Sequence, residues 1–173
     1  YAVMDTGYKY QYDRYNDVYR WIPLNGDIAG LCARTDSTND AWWSPAGFNR
    51  GIVIGMNSVG YLKSDGTYQP VQLNNGQRDV LYTNKINPIA YIPNRGLVIY
   101  GQKTLDALST ARDRVNVSRL VCYLNYQLDQ IAKPFLFELN DVQTQKAVTA
   151  TFTSSLGNLV SLRALYDFAV VCD

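Results

Sequence analysis

The sequence predicts an α/β (α+β) domain in which a mixed β-sheet is flanked by helices. Three observations carry that expectation. Aromatic residues alternate with polar ones from Tyr8 to Asp13, apolar runs recur at 97–100 and 166–171, and two amphipathic stripes occupy the stretch from Val117 to Leu159. Alternation of period two belongs to strands, and spacings of three and four belong to helices. At 173 residues the chain is long enough for one domain with a real core, and a single domain over 1–173 is expected.

Tyr8, Tyr10 and Tyr12 fall on one face of a strand or extended arm, and Tyr15 and Tyr19 break that period. From Pro23 to Ala33 a helix begins, with Pro suited to its first turn and Asp27 to its positive end. Gly26, Gly30 and Ala33 form a small-residue stripe on it, which fits close packing inside the chain or against another subunit. Arg34, Thr35 and Asp36 are expected to end this helix. The loop holding Trp42, Trp43, Ser44 and Pro45 leads to an expected strand at 52–54, and two adjacent tryptophans call for cover by core or partner.

The polar stretch 64–76 reads as a surface excursion. After it come a short helix at 77–82, a strand at 87–92, a turn at 93–96 and a strand at 97–100. The clearest helix spans 117–133, with Val117, Leu120, Val121, Leu124, Leu128 and Ile131 on one stripe and Pro134 closing it. Residues 135–138 read as extended. Asn140 or Asp141 caps a second helix that carries Val148, Phe152, Leu156 and Leu159, and 166–171 reads as a last strand. A start at Tyr1 and a stop just after that strand are the expected marks of a longer polypeptide.

Composition narrows the chemistry. Sixteen Lys and Arg face fifteen Asp and Glu, a formal charge of +1, with no clustered basic surplus of the kind counterion release on nucleic acid or attraction to an anionic membrane requires. No histidine is present, which removes the commonest general base near neutral pH, the Ser-His and Cys-His pairs and every His-containing zinc site. Glu138 is the only glutamate. Cys32, Cys122 and Cys172 are odd in number and widely spaced in apolar surroundings, which fits buried free thiols, and no CxxC occurs. No apolar run approaches the roughly 20 residues of a membrane span, and the polar, tyrosine-rich start is unlike a signal peptide. A soluble, intracellularly made protein with no cofactor and no metal is expected.

Residues 96–104 nearly imitate a phosphate loop, but Gln102 puts Lys103 out of register, and the stretch between Gly96 and Gly101 is itself a strand whose amides pair in a sheet. Asn116-Val117-Ser118 matches a glycosylation sequon and reads more simply as a helix start. The pairs Asp13 with Asp17 and Asp36 with Asp40 have the residue type for acid and base work on a sugar, yet polar turns account for them. No enzyme is expected.

An ordered series of segments carries a resemblance. It runs through Tyr8-Lys9-Tyr10-Gln11-Tyr12-Asp13, Leu24-Asn25-Gly26, Cys32-Ala33-Arg34-Thr35-Asp36, Trp42-Trp43-Ser44-Pro45-Ala46-Gly47 and Asn49-Arg50-Gly51. It continues through Ile86-Asn87-Pro88-Ile89, Tyr100-Gly101-Gln102-Lys103-Thr104, Asp113-Arg114-Val115-Asn116-Val117 with Arg119, Phe137-Glu138-Leu139-Asn140-Asp141 and Tyr166-Asp167-Phe168. In that order, over nearly the whole chain, these segments resemble the conserved core of contractile phage tail sheath proteins, especially of the T-even type. The resemblance implies an inner, tube-proximal C-terminal core domain whose N- and C-terminal arms and outer domains lie elsewhere.

It further implies a structural subunit that polymerises helically, as stacked hexameric rings, around a tail tube and contracts to drive the tube through the host envelope. Partners would be other copies of the subunit, the tail tube protein, and baseplate and terminator proteins, with no nucleic acid and no membrane insertion. The place would be the virion tail, assembled in the host cytoplasm. Sheaths of type VI-like systems and tailocins are the neighbouring reading, and a carbohydrate-binding or hydrolytic tail module using the tyrosine stripe is the reading from another class. Gln143, Gln145, Lys146 and Thr149 on the last helix become candidate tube-facing residues. Tyr10, Tyr12, Arg34, Asp36, Trp42, Trp43, Pro45, Arg50, Arg114 and Arg119 become candidates for core or intersubunit roles.

Overall fold

The computed structural model describes residues 2–172, and the two ends behind the expectation of a longer polypeptide, Tyr1 and Asp173, lie outside the described residues. The chain divides into two compact units, one up to Ser118 and one from Arg119 onward.

In the first unit, β1 (Met4–Asp5), β2 (Tyr8–Asp13) and β3 (Val18–Pro23) precede helix α1 (Asn25–Thr38) and the single turn α2 (Gly47–Arg50). There follow β4 (Ser58–Leu62), β5 (Tyr68–Pro70), α3 (Asn75–Thr83), β6 (Ile86–Asn87), β7 (Ile89–Ile92) and β8 (Gly96–Ile99). The α/β class holds, and among the described residues the strands are shared among three sheets: an antiparallel one in the order β3-β2-β4-β5, the parallel pair β1-β6 and the hairpin β7-β8.

The tyrosine alternation does make a strand. Tyr10 faces Trp21 and Tyr12 faces Tyr19 across the β2–β3 ladder. The connecting turn is shaped by Asp13, whose carboxylate accepts from the Tyr15 amide at 3.0 Å and the Asn16 side chain at 2.7 Å, while Asp17 takes a left-handed conformation that Asp tolerates. A second Asx turn closes β4 onto β5, where Asp65 accepts from the Thr67 amide at 2.9 Å. The turn and β5 lie inside the stretch read as an excursion, β4 just before it, and every residue of β5 is exposed. Helix α3 starts on a reciprocal capping box between Asn74 and Gln77. The core of this unit is Leu24, Leu31, Val59, Ile89 and Ile99, with Ile28, Val53, Met56 and Leu97 packed on it, each fully buried member contributing roughly 1.5–3 kcal/mol.

Helix α4 (Val115–Ala132) begins in the first unit. The second unit continues it, breaks at a single 3₁₀ turn, Lys133–Phe135, where Pro134 removes an amide, and resumes in α5 (Val142–Ser161). Asp141 caps α5 by accepting from the Thr144 amide at 2.8 Å.

Several expectations are corrected. Helix α1 runs through Arg34, Thr35 and Asp36 to Thr38, because the polar side chains bond back within the helix: Thr35 donates to the Leu31 carbonyl at 2.9 Å and Thr38 to that of Arg34 at 2.9 Å. Its small-residue stripe is not closely packed within the chain, since a Cβ on Gly26 or Gly30 would meet nothing within 4 Å. Residues 52–54 form only a single bridge, Ile52 to Val98. Residues 135–138 are not extended, because Phe137 turns the chain with φ 69°. Residues 166–171 find no strand partner among the described residues, and Tyr166 and Val171 stand exposed. The three cysteines are free, but Cys122 and Cys172 are exposed and Cys32 only half-buried.

Candidate functional site

The β3-β2-β4-β5 sheet has two chemically distinct faces. On one, Tyr10 stacks on Tyr19 with centroids 5.2 Å apart and leans on Trp21 at 5.0 Å, Trp21 stacks on Tyr68 at 5.4 Å, and Tyr8 meets Tyr68 edge-on. Tyr12 and Tyr19 are 45% and 49% exposed, so the rings cover one another more than anything covers them. On the opposite face Lys9 and Val59 are buried. Lys9 Nζ lies 2.7 Å from Asp27 Oδ1 in the first turn of α1. Alternation in β2 therefore sends a lysine inward and tyrosines outward, an arrangement the sequence did not reveal.

The loop after α1 is built as an arginine knot. Trp42 and Pro45 are buried, and Trp43 is half-buried under the Arg50 guanidinium, 4.9 Å from its ring centroid. Arg50 Nε donates to the Ser44 carbonyl at 2.8 Å, and Arg34 Nη2 donates to the Ile52 carbonyl at 2.8 Å. The cover expected for the tryptophans is thus present. Arg34, Thr38, Asn39, Asn49, Arg50 and Ile54 line an open cleft of about 400 Å³ beside the knot. Asp36 is exposed on α1.

Arg114 lies elsewhere in the same unit. Its Nη1 donates to the Tyr82 hydroxyl at 2.6 Å and its Nε lies 3.1 Å from Asp113, while Lys103 Nζ sits 4.4 Å above the Tyr82 ring. Lys103 is therefore engaged inside the fold, and its amide donates to the Asn87 side chain; the stretch after Gly96 forms β8 as expected, paired with β7. Arg119 is half-buried on α4.

Asn87 is an organising residue for which the only sequence signal is a polar amide within an apolar run. Fully buried, it donates to the carbonyls of Lys103 at 2.9 Å and Met4 at 3.3 Å and accepts from the Lys103 amide at 2.7 Å. Its neighbour across β1, Asp5, has a carboxyl pushed up from 3.8 to about 6 by burial, against the opposing hydrogen bond from Asn87.

On α5 the four polar candidates divide. Gln145, Lys146 and Thr149 line one open groove with Val142, Ser154 and Cys172, of about 670 Å³, whereas Gln143 lines another with Glu138 and Asp141. Lys146 is exposed, while Thr149 donates to the Gln145 carbonyl at 2.8 Å. Asp13 and Asp17 are committed to the β2–β3 turn, where Tyr12 donates to Asp17. Among the described residues no three His, Cys, Asp or Glu side chains converge as a metal site, and no helix is long and apolar enough to cross a membrane.

No family profile matches the chain. Over all 173 residues it is 46% identical to the tail sheath protein of Vibrio phage KVP40, 40% to that of Enterobacteria phage T4 and 36% to that of Salmonella phage ViI, spanning 24%, 25% and 26% of those proteins. The chain thus spans about a quarter of the length of the curated relatives it matches. Its fold superposes on the contracted helical sheath of the anti-feeding prophage with TM-score 0.75 and 23% identity, over 92% of this chain and 40% of that one. It superposes equally, at TM-score 0.75 and 20% identity, on the contracted sheath complex of the extracellular contractile injection system PVC, over 98% of this chain and 43% of that one. At these identities the likeness concerns the fold alone.

Proposed function

Since the whole chain is homologous to a quarter-length segment of phage tail sheath proteins, we propose that it is the core segment of a contractile tail sheath subunit. Such a subunit stacks helically, in hexameric rings, around a tail tube in the virion, and its contraction drives the tube through the host envelope. The observation that carries the reading is identity of 36–46% without any part of the chain left out. A polymer of this kind needs heterologous contacts that do not close on themselves and two packings of one subunit. Contraction then releases interface energy summed over many subunits, held back until triggering by a kinetic barrier. That work calls for no titrating base and no nucleotide, and the chain contains no histidine.

Within this reading the Gln145, Lys146 and Thr149 face of α5 addresses the tube, baseplate and terminator proteins cap the polymer ends, and Arg34 and Arg50 serve contacts between subunits. The sheath of a related injection machine is the second reading, supported by fold likeness to two such sheaths. Electron microscopy of the full-length protein tests the proposal. Helical cylinders are expected, and glycan-binding monomers would overturn it. For α5, tube-templated assembly that is unaffected by Lys146→Glu would remove its assigned role.

A further inference from the structure

The loop between the 3₁₀ turn and α5 is an exposed knob. Leu136 is 61% exposed, Phe137 fully so and Leu139 77%, and Glu138, the sole glutamate, stands between them. Phe137 adopts φ 69°, a left-handed conformation that side chains rarely take, and this turns its ring away from the fold. The Glu138 carboxylate has no ion pair or side-chain hydrogen bond among the described residues. Three large apolar side chains exposed together mark an interaction surface rather than a solvated loop, and the carboxylate among them sets the charge its partner must offer.

The cleft beside the arginine knot has the complementary chemistry. Neither the Arg34 nor the Arg50 guanidinium meets a carboxylate among the described residues; both spend donors on carbonyl groups, at Ile52 and Ser44. Ile54, 74% exposed, adds an apolar wall. At about 400 Å³ the cleft exceeds the roughly 150 Å³ that admits a benzene ring.

We propose that the 136–139 knob of one copy docks in the Arg34–Arg50 cleft of a second copy, with Glu138 received by the guanidiniums and Phe137 against Ile54. Charge complementarity favours a second copy as the occupant: one chain carries both an unpaired anion in an apolar frame and two carboxylate-free cations beside an apolar wall. A guanidinium fork matches a carboxylate bidentately, which fixes orientation as well as attraction. Because knob and cleft are different surfaces, the contact is heterologous and propagates into a ring or helix. The inference rests on the self-assembly reading above and specifies one of its contacts.

Mixing two charge-reversed variants of the full-length protein tests it by sedimentation velocity over a wide concentration range. Glu138→Arg and Arg34→Glu should each weaken self-association by roughly thirtyfold or more, as expected for losing one partner of an interfacial charge pair. An equimolar mixture should recover association, since the first variant keeps an intact cleft and the second an intact knob. A variant that had merely misfolded could not be rescued in this way. Glu138→Arg that associates like the unmodified chain, or a mixture as monomeric as its components, overturns the knob-and-cleft contact while leaving self-assembly standing. An unmodified chain that stays monomeric throughout overturns the contact and tells against the assembly reading too.

Discussion

Gly101 lies directly against Asn87: a Cβ built on the glycine would sit 2.7 Å from Asn87 Oδ1 and 3.0 Å from its Cα. That approach allows the amide of Asn87 to reach both sides of the Lys103 backbone and the Met4 carbonyl, tying β1, β6 and the 101–104 loop together. Gly101→Ala is expected to force this amide away from its buried partners and to cost about 2–3 kcal/mol, the range for leaving buried polar groups unsatisfied. Asn87→Ala should cost a similar amount. Urea unfolding of the two single variants and the double variant checks the mechanism: losses that simply add would show that glycine and asparagine act independently.

The Lys9–Asp27 pair leads to a second expectation. With side chains 10% and 21% exposed, neither charge can be re-solvated fully once the other is gone. Lys9→Met alone should destabilise by about 3 kcal/mol because it strands the aspartate, whereas Lys9→Met with Asp27→Leu should recover most of the loss by substituting apolar packing. Denaturant midpoints measured at one pH distinguish the cases. A double variant as unstable as the single one would mean that the pair itself, not the stranded charge, supplies the stability.

Such pairs explain which parts of the fold were readable in the sequence. The strand at Tyr8–Asp13, the short helix at 77–82, the 117–133 stripe and the Asp141 cap rest on local spacing, and local spacing is what a sequence displays. Residues 166–171 are as apolar as a strand, but a strand also needs an edge to pair with, and no local signal reports one. Helix α1 outran its expected end because Thr35 and Thr38 return their hydroxyls to their own helix, which suppresses the breaking effect of a polar run. At the candidate site, the burial of Trp42 beside the stacked Trp43 was legible from their bulk. The inward turn of Lys9 was not, because its anion comes from α1, 18 residues on.

Asp5 makes stability depend on pH in the direction opposite to ordinary acid unfolding. Its carboxyl, raised from 3.8 to about 6, binds its proton more tightly in the folded state. The stability this contributes is complete below pH 3.8, is lost as pH rises through about 6 and is absent above that. The difference corresponds to at most about 3 kcal/mol, reduced by whatever water reaches the group. Asp5→Asn should therefore be more stable than the unmodified protein at pH 7.5 and should lose that advantage near pH 4. Other carboxylates, among them Asp13 and Asp141, whose hydrogen bonds hold their pKa low, act in the opposite sense in both proteins and cancel from the comparison. An advantage that does not change between the two pH values would assign the effect to packing rather than to ionisation.

The outward aromatic face depends on a missing side chain. A Cβ on Gly60 would lie 2.6 Å from the outer ring carbons of Trp21 and 2.5 Å from the Gln69 carbonyl, so the indole reaches over the β4 backbone only because that position is glycine. From there Trp21 stacks on Tyr68 with planes 6° apart and leans on Tyr10. Gly60→Ala should lift the indole and break both contacts, each worth about 0.5–1.5 kcal/mol beyond its buried area, and should also strain the β4–β5 ladder. Trp21→Ala removes the same ring contacts without touching the ladder. If the rings are the main contribution, the two variants should be destabilised alike, by about 2–4 kcal/mol, and thermal unfolding of each measures this. A far larger loss in Gly60→Ala would place the constraint on the backbone at Gln69, and the ordering of the rings would then be a consequence of the sheet rather than one of its supports.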